Sequence, residues 1–140
     1  KNRLILAKYY FDKNITKSNQ LLEEVLKIDK TNKTAKKLLK NIKLQQEFVH
    51  KFKSVNIDEF YRKLYFNQDY KEIKVLSKYI SIIKSDYPKL ITAKIYFWEG
   101  NYQKTKEILK FVKNKNNLDY IEIVANLNFY EGDYQKAKNY

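Results

Sequence analysis

His50 is the one histidine of this chain, and there is no cysteine. Zinc and its relatives are held by several imidazole, thiolate or carboxylate donors converging on one point, so a single histidine cannot found such a centre. Thiolate nucleophiles and disulfides are excluded outright. Serine and threonine hydroxyls are plentiful, but a hydroxyl nucleophile needs a base beside it, and His50 lies between Val49 and Lys51 with no triad partner near it in sequence. Glu23-Glu24 and Asp58-Glu59 are adjacent carboxylates. On a helix, neighbours in sequence point in different directions and do not share a site. Two glycines in the whole chain leave no Gly-rich phosphate loop. The expectation is a protein without catalytic residues, metal or cofactor.

What remains is charge and rings. Lys and Arg number 29 against 16 Asp and Glu, a net charge of +13, and such a surface attracts polyanions. Arg3 and Arg62 are the only arginines, whereas base and phosphate recognition favours the bidentate guanidinium fork. The joint abundance of Lys, Asn, Ile and Tyr reads as the composition of an AT-rich genome, with much of the charge as background. Another protein is therefore the expected partner. A basic module for anionic polymers such as nucleic acid, or for membrane headgroups, is the alternative. Apolar runs such as residues 4–7, "LILA", are far too short to cross a bilayer. Composition leaves localisation open between the cytoplasm and a bacterial cell envelope. The chain lacks methionine and stops at Tyr140 inside a helical pattern, so a fragment of a longer chain is expected.

The elements that position these groups emerge from two phrases: "FWEGNYQKTK" from Phe97 and "FYEGDYQKAK" from Phe129. They place both glycines, Gly100 and Gly132, 32 residues apart, and one further step back lands on Gln68. Tyr70, Tyr102 and Tyr134 then align, as do Tyr65, Phe97 and Phe129, and Phe66, Trp98 and Tyr130. A period near 30 residues that carries both apolar pattern and turn residues marks a helical repeat array. Each unit reads as two helices. The first runs from about Tyr87 to Trp98 and closes at Gly100, and Gly132 is expected to close its counterpart. The second runs from about Tyr102 to Lys113. Ser85 or Asp86 is the expected cap before Pro88.

Units of this kind are expected at about 1–32, 54–85, 86–117 and 118–140, the last one truncated. In the first, a turn at Lys13-Asn14 precedes a helix from Thr16 to Ile28. Residues 33–53 break the period and read as one inserted helix. Its buried side is expected to carry Ala35, Leu38, Leu39, Ile42 and Val49, with Lys33, Lys36, Lys37, Lys40 and Lys43 opposite in water.

With "AKIYFWEGNYQKTKEIL", "ANLNFYEGDYQKAK" and "YYFDKNITKSNQLLEEVLKIDKTN", the chain resembles the tetratricopeptide repeat (TPR) family of helical hairpins. Ala93, Ala125 and Ala137 stand at small-residue positions of that family, and Tyr102 and Tyr134 at aromatic ones. Ile57, Lys89 and Ile121 replace a frequent tryptophan, Lys30 replaces a proline, and Tyr61 fills a small-residue position. The resemblance implies an all-α, right-handed α-solenoid with an extra helix at 33–53, serving as a protein-interaction scaffold. It also implies a concave groove lined by the first helices. Positions four apart there are Asp58, Arg62 and Phe66, then Leu90, Lys94 and Trp98, then Glu122, Asn126 and Tyr130, with Tyr65, Phe97 and Phe129 at the edge. Tyr10 and Phe11 extend that row. Packing is expected for Tyr65, Phe97 and Phe129, partial exposure for Phe66, Trp98 and Tyr130, and a wedge between helices for Tyr70, Tyr102 and Tyr134. The implied ligand is an extended or helical peptide of acidic character, selected by Arg62 and Lys94. Chaperone-tail binding is not implied, since Asp58 and Glu122 occupy places that need basic or amide groups. Self-association through an uncapped end of the array is a further expectation.

Overall fold

The computed structural model describes the backbone of residues 2–139 and the side chains of residues 2–132. The described chain is all-helical, with no strand among its residues. It divides into two compact units, residues 1–53 and 54–140.

The first unit holds α1 (Asn2–Tyr10), α2 (Ile15–Ile28) and α3 (Lys33–Lys51). Asn14 starts α2 by accepting a hydrogen bond from the Lys17 N–H at 3.1 Å, and Asn32 starts α3 through Ala35 at 3.0 Å. A short side-chain acceptor at this position satisfies an amide that the helix itself cannot. Ala7, Leu22, Val25, Ala35 and Ile42 form the core. Small residues bring α1 and α2 close together: buried Ser18 donates its hydroxyl to the Ala7 carbonyl at 2.7 Å. A single helix, α3, fills most of the stretch 33–53, with Ala35 and Ile42 inside and the five lysines outside. Val49 departs from expectation and is 63% exposed. At the end of α3 the buried side carries Phe48, half-buried, and Phe52, buried, which leaves Val49 facing outward.

The second unit begins with α4 (Ile57–Phe66) and α5 (Tyr70–Val75), the latter tightening into a 3-10 turn over Leu76–Tyr79. Next come α6 (Asp86–Trp98), α7 (Tyr102–Leu109) and α8 (Leu118–Asn139). The core runs through Tyr61, Ile73, Leu76, Leu90, Ala93, Ile95, Ile108, Ile123 and Leu127. Asn56, Asp69 and Asn101 cap α4, α5 and α7 just as asparagine does in the first unit. The asparagines that composition alone ascribes to genome bias therefore hold helix starts.

The 32-residue period is realised atom by atom between α4 and α7. The turn bonds Gln68 N–H to Tyr65 O (3.0 Å) and Asp69 N–H to Leu64 O (2.9 Å) recur as Gly100 N–H to Phe97 O (2.9 Å) and Asn101 N–H to Tyr96 O (2.9 Å). Gln68 adopts φ 59° and Gly100 φ 80°, so the same left-handed residue closes both helices, once without a glycine.

Gly132 does not repeat that turn. α8 runs through it to Asn139, which corrects the expected helix end. Glycine permits a left-handed turn but does not impose one. At Gln68 and Gly100 the turn is held by the cap that follows it, Asp69 on the Glu72 N–H and Asn101 on the Lys104 N–H. α7 stops at Leu109, short of the expected Lys113, and Ser85 makes no side-chain cap bond. The neighbouring Asp86 works differently. Its two oxygens accept the Lys113 and Asn114 N–H groups, each at 2.9 Å, tying the end of one hairpin to its beginning.

Candidate functional site

The first helices of the second unit, α4, α6 and α8, pack side by side and carry the residues expected to line a groove. Their contacts repeat by 32. Tyr65 meets Tyr70 with ring centroids 6.1 Å apart and stacks on Trp98 at 6.3 Å, 18° from parallel. One period on, Phe97 meets Tyr102 at 5.6 Å and Tyr130 at 5.6 Å. Lys74–Glu99 and Lys106–Glu131 are ion pairs of 2.7 Å each. Arg62 lies over the Tyr87 ring at 5.7 Å, where its counterpart Lys94 pairs with Asp119 at 3.1 Å.

Phe66, Trp98 and Tyr130 are exposed by 86%, 57% and 49%. Tyr65 and Phe97 are half-buried within the ring clusters, as are Tyr70 and Tyr102. Phe129 departs from the packing expected of it, at 62% exposure. Its ring contact is Tyr130 at 5.4 Å. Ala125 is exposed as well, whereas its counterparts Ala93 and Tyr61 are buried. Asn126 is exposed on α8, and Tyr134 lies outside the described side chains. Leu90, expected on the open stripe, is buried in the core. Tyr10 and Phe11 belong to the first unit, half-buried at the end of α1 and the turn after it.

The site's electrostatics are modest. Lys94 is committed to Asp119, so Arg62 is its freer cation, with Glu59 at 3.9 Å. Beneath the surface, Lys89 is nearly fully buried; its Nζ donates to Phe111 O at 3.0 Å and lies 3.7 Å from Asp86. Burial lowers the Lys89 pKa, while the Asp86 charge opposes the shift. Burial acts to raise the Asp86 carboxyl, but two backbone N–H bonds and Lys89 outweigh it and leave the pKa below the ordinary value. Tyr61, buried and facing the Glu72 charge, is pushed far above the usual phenol range. Its hydroxyl and Asp58 Oδ1 are buried without a protein partner among the described residues.

His50 is exposed beside a shallow hollow lined by Ile15, Gln45, Gln46, Val49 and Lys53, none of them a carboxylate. Glu24 pairs with Arg3 at 3.2 Å. No cluster of three metal-ligating side chains occurs among the described residues, and no described helix is long and apolar enough to cross a membrane. The repeated Lys–Glu pairs and the Asp86 clamp escaped sequence reading. The first was detectable, since Lys74, Glu99, Lys106 and Glu131 keep the period. No family model matches the chain, and neither a curated protein nor a solved structure matches it.

Proposed function

We propose that this chain is a non-enzymatic protein-interaction scaffold, built as a TPR-like right-handed α-solenoid, that binds a peptide or helical segment of a partner along α4, α6 and α8. The observation that carries this reading is the row Phe66, Trp98 and Tyr130, large rings left exposed at a constant 32-residue interval. Aromatic side chains dominate interface energetics because they bury much area with little loss of freedom. Arg62 beside this row favours a segment with acidic character, and a scaffold of this type needs neither cofactor nor metal. Phe66 is the cleanest probe, because so exposed a ring contributes little to folding. Affinity capture with the wild-type chain and with Phe66→Ala, read by mass spectrometry, tests the reading: a partner lost with the variant supports it. Equal recovery of every captured protein by Phe66→Ala and Trp98→Ala removes the row from the binding surface. Sedimentation over a concentration series reads self-association separately.

A further inference from the structure

The division of the chain into two units changes the meaning of its charge. Fourteen of the 29 basic residues but only five of the 16 acidic ones fall in residues 1–53, a net +9. The remaining 87 residues carry only +4. A compositional background would be spread in proportion to length, and this charge is not. Its densest part is α3. Lys33, Lys36, Lys37, Lys40 and Lys43 are all exposed, and the ion pairs among the described residues, such as Arg3–Glu24, include none of them. At about 1.5 Å per residue they form a stripe roughly 15 Å long. Beside it is a hollow lined by Phe11, Lys33, Thr34, Lys37, Leu38 and Asn41.

We propose that the α3 lysine stripe and the Phe11 hollow bind single-stranded nucleic acid, with backbone phosphates along the stripe and a base against Phe11. Lysines hold a phosphate backbone as point charges without reading bases, and bases of any identity stack on an aromatic face. The Asn41 amide and the Lys33 and Lys37 ammonium groups give the hollow hydrogen-bonding capacity around that ring. A lipid surface fits less well. A helix that settles among headgroups needs a free apolar face, and that of α3 is spent internally: Ala35 and Ile42 are fully buried, with Leu38 and Leu39 packed beside them. This site is separate from the aromatic row of the second unit and does not depend on the function proposed for it.

The test is fluorescence anisotropy with an end-labelled oligothymidylate across a salt series. Each phosphate neutralised on a single strand contributes about 0.7 to the log–log salt slope, so five contacts give a slope of about −3.5 and roughly a hundredfold weaker binding between 50 and 200 mM salt. Substituting Lys33, Lys36, Lys37 and Lys40 together by Gln lowers affinity at 50 mM salt at least tenfold and flattens the slope by about 3. A charge-matched control with Lys63, Lys71, Lys84 and Lys110 replaced by Gln, all exposed in the second unit, stays within about threefold of wild type. Phe11→Leu keeps an apolar side chain at the core edge; it weakens binding several-fold with the slope unchanged. Circular dichroism verifies that each variant folds. Equal losses in the two quadruple variants overturn the assignment to α3. Duplex binding as tight as single-strand binding, with Phe11→Leu silent, overturns the single-strand assignment. Binding to phosphatidylglycerol vesicles without oligonucleotide binding overturns the proposal in favour of a lipid surface.

Discussion

Gly100 and Gly132 are equivalent in sequence, yet Gly→Ala at the two positions should change stability in opposite directions. Gly100 has φ 80°, and an alanine Cβ there meets nothing within 4 Å. The penalty is therefore purely conformational: about 1–2 kcal/mol for an L-residue in the left-handed region, partly offset by the smaller entropy of the unfolded chain. A net loss of about 1 kcal/mol is expected. Gly132 lies inside α8, again with open space around a built Cβ. Alanine is favoured there by about 0.5–1 kcal/mol through helix propensity. Gln68 completes the series. It already holds φ 59° with a side chain, and Gln68→Gly should gain up to about 1 kcal/mol. Urea titration followed by the fluorescence of Trp98, the only tryptophan, reads the second unit directly, and unchanged slopes keep the comparison valid. A loss at Gly132→Ala matching that at Gly100→Ala would mean that the chain turns at both glycines, and the continuous α8 would be refuted.

Trp98→Ala should cost about 2.5 kcal/mol, from roughly 100 Å² of buried ring at ~25 cal/mol per Å²; urea midpoints should place Phe66→Ala below about 0.5 kcal/mol. Asp86→Asn should cost about 2 kcal/mol at pH 7, because it strands the buried Lys89 charge while leaving its bond to Phe111 O. The Asp86 pKa is depressed in the fold, so the stability it contributes is complete above the unfolded value and is lost as pH falls through the folded one. Wild type and Asp86→Asn should therefore converge in urea midpoint at the acid end of a series from pH 7 to 3. Tyr61→Phe removes a buried hydroxyl without a protein partner among the described residues and should leave stability equal or raise it by about 1 kcal/mol; a loss above about 1 kcal/mol by calorimetry would reveal a hydrogen bond to that oxygen.

Much of the architecture was legible because one scarce and one abundant residue type kept the same time. Glycine and the aromatics phase the helices from Ile57 to Leu109 to within a few residues, and the lysine face of α3 follows from its spacing. The fate of Gly132 was not legible, because a permissive residue allows a turn without imposing one. Val49 misled because the buried side of α3 drifts along the helix and falls on Phe48 and Phe52 at its end. Of the candidate site, exposure of Phe66, Trp98 and Tyr130 followed from their place on the first helices. The engagement of Lys94 with Asp119 did not, since only the packing of α6 against α8 brings residues 25 apart within 3.1 Å.

The matched contacts of the second unit also bear on how such a chain can change length. If residues 86–117 were excised whole, Tyr65 and Tyr70 would meet Tyr130, Lys74 would face Glu131, and Arg62 would gain Asp119 in place of Tyr87. Each seam would find a partner of the right chemistry already in place. Unequal crossover within the gene could then add or remove a whole block without inventing a new junction.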